Sequence, residues 1–300
     1  MTKTTAVAIP VPQRRFLYKN YKDEHMTLPS MALGSNRLDL VDDLVSKYLA
    51  SGPATGLSRR SVQLLLPLVH DAIHVDNSAF IAKLMQRGFE VKHFFREAVE
   101  KHALRCLTLF LETGYDINQP ECDMKPPVWT RTTVDSPITF WLIARGANLN
   151  AHAPYHIFTP MSFAAQYAQA GLVHAYLTDP RGLVDIGTGD LLQYALDRKA
   201  DVLPVLSMLL DHGAPINEGL FARHLASQNM FFFMPRGPPL HKAAEKGQLD
   251  AVRLLLDRHA DVTIRDTKGK TALFYAEKEG HREVAEVLRQ AMEAAKVQHL

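Results

Sequence analysis

Two histidine pairs carry the spacing most often associated with metal chemistry. His70-Asp71-Ala72-Ile73-His74 sets two imidazoles at i and i+4, stacked on one face of a helix, as two ring nitrogens sharing a zinc ion would be. The acid between them is Asp71 rather than the glutamate of a metalloprotease helix, and no third ligand can be assigned. His152 and His156 have the same spacing, but Pro154 between them interrupts any helix that would bring the rings to one side. No Walker-type phosphate loop, no G-x-S-x-G and no G-x-G-x-x-G occurs, and Gly187-Thr188-Gly189-Asp190 has the composition of a turn. The expectation is a non-enzymatic chain that needs no cofactor and no metal.

Residues suited to contact are more prominent than residues suited to catalysis. Between Glu218 and Arg236 lies Met230-Phe231-Phe232-Phe233-Met234-Pro235. Three consecutive phenylalanines cannot all point into one helical stripe. Either they pack over a neighbouring surface, or they form a partner-binding loop, since aromatic residues and Met are enriched at interface cores.

The whole chain sets the frame for these residues. Its 300 residues, 47% hydrophobic, suffice for a sizeable core, and a net charge of +2 does not suit a dedicated nucleic-acid binder. Cys106 and Cys122 form no C-x-x-C and no disulfide framework, which suits a reducing compartment. No run of eighteen apolar residues exists to span a membrane, and the start, broken by Pro10 and Pro12, has no secretory core. A cytoplasmic monomer is expected, with the nucleus as the alternative.

The elements that position the contact residues recur. Residues 237–290 contain Pro239-Leu240-His241-Lys242-Ala243-Ala244 and then Thr271-Ala272-Leu273-Phe274-Tyr275-Ala276, with Thr271 thirty-three positions after Pro238. Each start is followed by a Gly (Gly247, Gly280) and an apolar helical pattern: Leu249, Val252, Leu255, Leu256, and then Val284, Val287, Leu288. Helices this short are stable only when each pair buries its stripe on the next. Earlier units follow from Leu64, with Thr159-Pro160-Met161-Ser162-Phe163-Ala164-Ala165 nearest in wording. The third unit is irregular: Pro127-Val128-Trp129 opens it, and Ser136-Pro137 reads as N-cap and first residue of its second helix. Gly88, Gly114, Gly146, Gly182 and Gly213 recur where a helix C-cap needs positive φ, with His259 in the same slot of the sixth unit. His241 is read as structural, tying down the turn that starts its helix.

A period near 33 with a T-P-L-H-x-A start resembles the ankyrin repeat. The resemblance covers about residues 64–291 in six to seven units, most closely at 237–291, with an insertion at 218–236 and a tail at 292–300. It implies an all-α solenoid of helix-turn-helix units joined by β-hairpin-like finger loops. It also implies a scaffold or adaptor that binds an unidentified protein partner through finger tips and the concave helix face. Carried over by position, the tips include Gln119, Glu121, His152, Tyr155, Thr188, Arg265, Asp266 and Lys268; Phe231, Phe232 and Phe233 join them as partner-binding candidates. Residues 1–27 read as a basic disordered arm, and 28–57 as a degenerate N-terminal capping repeat, with an F-box-like segment as the rival. The rival would make the protein a ubiquitin-ligase substrate receptor; a further alternative is an accessory protein of a metabolic pathway.

Overall fold

A computed structural model describes residues 59–298 apart from Val91 and Asp135, so the readings made for 1–27 and 28–57 lie outside the described residues. The chain forms two compact units, divided between Asp116 and Ile117.

In the first unit, α1 (Arg59–His74) and α2 (Ser78–Gln86) form one antiparallel pair, and α3 (Phe95–Glu100) and α4 (Leu104–Glu112) a second. α1 begins five residues ahead of the expected start at 64. Helix α1 packs on α3, and α2 on α4. Val69, Ile73, Ile81, Phe95, Leu107 and Phe110 are buried between them, as the apolar periodicity requires. The Asp76 carboxylate accepts the Arg105 and Cys106 N–H groups, so one pair caps the exposed first turn of the next pair's α4.

In the second unit, the hairpin β1 (Pro120–Cys122) and β2 (Lys125–Pro127) leads into a 3-10 segment, Val128–Val134, and α5 (Ser136–Ile143). Three further pairs follow in the order α6 (Pro160–Tyr167) with α7 (Ala170–Leu177), α8 (Leu191–Ala195) with α9 (Val202–Asp211), and α11 (Pro239–Glu245) with α12 (Leu249–Asp257). A last pair is α13 (Ala272–Lys278) with α14 (Arg282–Gln298), and α10 (Leu225–Met230) lies in the insertion. First helices stack on first helices (α6, α8, α11, α13), and second on second (α7, α9, α12, α14).

Two hydrogen bonds recur along this stack. The third residue of each first helix donates its side chain to the carbonyl just before the N-cap of the next first helix. Ser162 Oγ reaches Gly189 O at 2.6 Å, Gln193 Nε2 reaches Gly237 O at 3.0 Å, and His241 Nε2 reaches Lys270 O at 2.9 Å. The asparagine ending each finger base accepts a backbone N–H from the next: Asn118 from Asn148, Asn150 from Asp185, Asn217 from Asp261, at 2.8, 2.9 and 2.8 Å. The Asn217 bond spans the insertion, so the stacking register continues past it.

The left-handed slots are occupied as expected. Gly88, Gly114, Gly146, Gly182 and Gly213 have positive φ, and His259 takes φ 66° in the sixth-unit slot. At Gly146, Gly213 and His259 the following N–H returns to the carbonyl five residues back, which closes the helix end as a Schellman motif. Gly189 is needed for another reason: a Cβ there would lie 2.5 Å from Ser162 Oγ, the group that bonds its carbonyl.

Several expectations need correction. His241 does not tie down its own turn; its bond goes to the turn that starts the next unit. Hairpin-like fingers give way to turns except at β1–β2 and an isolated bridge between Ala153 and His156, among the described residues. In the 261–270 finger one backbone bond, Asp266 N–H to Lys270 O, crosses the turn, and the Asp266 carboxylate collects the Lys268 and Lys270 N–H groups. The expected tail is helical to Gln298 as part of α14. Ser136 is the first helical residue rather than a cap, and the segment before it is 3-10 because Thr130, Thr132 and Thr133 each bond a carbonyl three residues back.

Replacing His241 by Ala removes the side-chain donor to the Lys270 carbonyl, which then keeps only the Asp266 N–H, and should lower unfolding stability by about 1 kcal/mol in urea melts. Gln, which fills the same slot at 193, should restore at least half of that loss, and a Gln variant no better than Ala would contradict the assigned bond.

Candidate functional site

The insertion begins and ends at one point. Leu220 N–H donates to Gly237 O at 3.2 Å, and Gly219 lies so close to Arg236 O that a Cβ would meet it at 2.8 Å. From there the loop is fixed on every side. Asp190, at the start of α8, accepts the Phe221 N–H at 3.2 Å; Gln228 Nε2 donates to Phe221 O at 2.9 Å; and Arg236 Nη1 donates to Gln228 O at 2.7 Å. Phe221 is held at φ 64°, a conformation disfavoured for a bulky side chain, and its ring is buried.

The phenylalanine run divides. Phe231 packs inward, its ring centroid 5.1 Å from Phe221 and 5.4 Å from His156. Phe232 and Phe233 stay 70% and 61% exposed and meet edge to face at 5.9 Å. Leu225 and Met230 of α10 are exposed as well. The run is therefore split between one packed ring and two exposed ones.

Ring contacts continue onto the first helices: His156 stacks on Phe158 at 5.9 Å, Phe158 meets Tyr194 at 4.8 Å and Phe163 at 6.3 Å, and Phe163 meets exposed Tyr167 at 4.6 Å. Phe163, Tyr194 and Lys242 occupy the same slot, four residues after the N-cap, in successive units. The alignment of that slot was the available signal for this surface. The Lys242 ammonium lies 5.8 Å from the Tyr194 ring and, with Lys246, pairs with Asp197 at 2.5 and 2.9 Å.

The finger candidates join the insertion. Tyr155, half exposed, donates its N–H to Asp123 O of the hairpin that carries exposed Gln119 and Glu121. Its carbonyl lies 3.3 Å from Ser227 Oγ of α10, and the His152 ring meets His224 of the insertion at 5.1 Å. On the other side, Thr267 Oγ1 accepts the Arg236 N–H at 3.1 Å and so places exposed Arg265, Lys268 and Lys270 next to the loop's end. Gln119, Glu121, His152, Tyr155, Phe231, Phe232, Phe233, Arg265 and Lys268 thus lie on neighbouring segments joined by these hydrogen bonds and ring contacts. Thr188 is half-buried and bonded to Asp185 at 2.7 Å.

Asp266 does not belong on the contact surface. It is buried and accepts from Lys268, Lys270 and the Tyr275 hydroxyl, the last at 2.5 Å. Burial acts to raise its pKa, but these donors outweigh it and hold the carboxyl below its ordinary range. The first histidine pair is also accounted for: His70 bonds Glu97 at 2.6 Å and packs on Phe94, while His74 is exposed. No group of three or more His, Cys, Asp or Glu side chains among the described residues is arranged to hold a metal.

The two-helix units, the inter-unit bonds and the finger turns agree with what the comparisons return: the family model "Ankyrin repeats (3 copies)" matches residues 233–298. Residues 233–298 are ankyrin repeats. Human Espin-like protein is 37% identical over 87 residues, 29% of this chain and 7% of that protein. Probable E3 ubiquitin-protein ligase XBOS33 of Oryza sativa subsp. japonica is 54% identical over 50 residues, 17% of this chain and 10% of that protein. Osteoclast-stimulating factor 1 of Mus musculus is 44% identical over 50 residues, 17% of this chain and 23% of that protein. The chain thus spans less than a quarter of the length of each of these relatives. Ankyrin repeats mark a protein–protein interaction module. No described helix is long and apolar enough to cross a membrane.

Asp190 was not foreseen as an unusual acid. Burial pushes its carboxyl up to about 6, helped by Glu218 and opposed by the Phe221 N–H and Lys242. The folded value lies above the ordinary 3.8, so its contribution to stability is full below about pH 4 and is lost as pH rises through 6. Asp190→Asn keeps an acceptor for Phe221 and removes the buried charge. It should therefore raise stability at pH 7.5 by about 1 kcal/mol and change little at pH 4, as read from thermal melts at both pH values.

Proposed function

We propose that the protein is a non-enzymatic adaptor that holds a protein partner on the strip formed by the insertion and the fingers beside it. The observation that carries this reading is the contrast between a tightly bonded loop and the two phenylalanines it leaves in water. Burying each such ring is worth about 1.5–3 kcal/mol, which a partner would gain. A loop already fixed by Asp190, Gln228 and Arg236 loses little further freedom on binding, so more of that gain appears as affinity. The exposed Arg265, Lys268 and Lys270 beside the loop favour a partner segment with apolar anchors followed by carboxylates.

The ubiquitin-ligase reading depends on residues 28–57, and the similarity to the rice protein spans too little of it to carry over its activity. The adaptor reading needs only surfaces that are built.

Affinity capture with quantitative mass spectrometry should show a specific partner reduced at least about tenfold by Phe232→Ser/Phe233→Ser. The variant should melt like the wild type, because both rings are exposed. An unchanged partner list would overturn the assignment of the interface to the insertion.

A further inference from the structure

The insertion is pinned to the neighbouring finger by a histidine that must be neutral to do so. His224 is the N-cap of α10, and its Nδ1 accepts the Ser227 N–H at 3.1 Å and lies 2.7 Å from Ser227 Oγ. Ser227 is fully buried; its Oγ accepts the Ile157 N–H at 3.1 Å and lies 3.3 Å from Tyr155 O. One imidazole lone pair therefore orders both the first turn of α10 and the serine that joins α10 to the 150–157 finger. With Nδ1 accepting, the ring proton sits on Nε2, so a second proton can go only to Nδ1. There it would turn the acceptor into a donor facing the Ser227 N–H.

Other rings make that proton harder to accept. His152 of the same finger meets His224 edge to face, and His156 packs against Phe221 and Phe231 of the insertion. Among the remaining groups around them, Glu121 of the hairpin pairs with Lys125, and Asp123 offers its backbone carbonyl. Met124 accepts a hydrogen bond through its backbone from His156. Within the insertion Arg223 pairs with Glu218 and Arg236 bonds Gln228 O, while Asp190 of α8 accepts from Phe221. Burial holds His224 below the ordinary histidine value, with His152 adding to the effect; burial likewise depresses His156, with His224 adding.

We propose that the insertion is a proton-operated element: neutral His224 docks α10 and its phenylalanines on the finger, and protonation of His224 in mild acid releases them. A depressed histidine favours the docked form fully above the unfolded value near 6.5 and progressively less below it. Asp190 acts in the opposite direction, since its carboxyl binds a proton more readily when folded. Loosening in acid is therefore specific to the histidines. This inference rests on the adaptor reading only for its biological consequence, because the release itself is measured without a partner.

The test is hydrogen–deuterium exchange of peptides covering 222–234 in the whole chain at pH 7.5 and 5.5, corrected for intrinsic exchange. Opening should increase about fivefold to tenfold in acid for wild type, the equivalent of losing one helix cap. His224→Asn, whose amide oxygen accepts from Ser227 at either pH, should abolish the acid response; His224→Asp replaces it if the Asn variant is loose at both pH values. Equal protection of wild type at both pH values, or a full acid response in the capped variant, would overturn the proposal. Phe232→Ser/Phe233→Ser should keep the acid response even if it loses the partner, which separates failure of this gate from failure of the adaptor reading.

Discussion

The second unit depends on one hydrogen bond made repeatedly: a side chain at the third position of a first helix donates to the carbonyl that precedes the next first helix. Ser162, Gln193 and His241 share no charge, size or ring, yet each delivers a donor to the same place. At Gly237 and Lys270 that carbonyl also accepts a backbone N–H, from Leu220 and Asp266, so the side-chain donor is a second bond that ties one unit to the next. The bond fixes the spacing between units, and the apolar stripes of α7, α9, α12 and α14 can then pack on one another. Burial of the His241 ring pushes its pKa below the ordinary value and keeps it a neutral donor rather than a charge in the core.

With register set in this way, a long insertion can be accommodated. Gln193 bonds Gly237 O, the carbonyl at which the insertion closes, so the tie between successive units is also the clamp on the loop. Asn217 reaches Asp261 on the other side of it. The insertion is consequently held by the repeat framework, and strain at Phe221 is borne by its bonds to Asp190 and Gln228. Phe232 and Phe233 face water while Phe231 packs against Phe221.

The sequence made the repeats legible where wording and spacing coincide, as at Pro239–Ala244 and Thr159–Ala165, and made the left-handed slots legible because Gly recurs there. It concealed the shared role of Ser162, Gln193 and His241, since what is common to them is a donor position and not a residue type. It also concealed Asp266, which resembles any charged finger residue until the Tyr275 hydroxyl and two backbone N–H groups close around it. The phenylalanine run announced itself by composition. Which ring packs and which is exposed depended on contacts with His156 and Phe221, residues distant in sequence or held by unusual backbone.

Panning a random peptide library against the purified chain tests whether the insertion and its basic neighbour form a docking surface. Wild type should enrich peptides with aromatic or leucine anchors next to acidic residues, and Phe232→Ser/Phe233→Ser should enrich none of them. Equal enrichment by both proteins, or selection of basic peptides by wild type, would contradict that assignment.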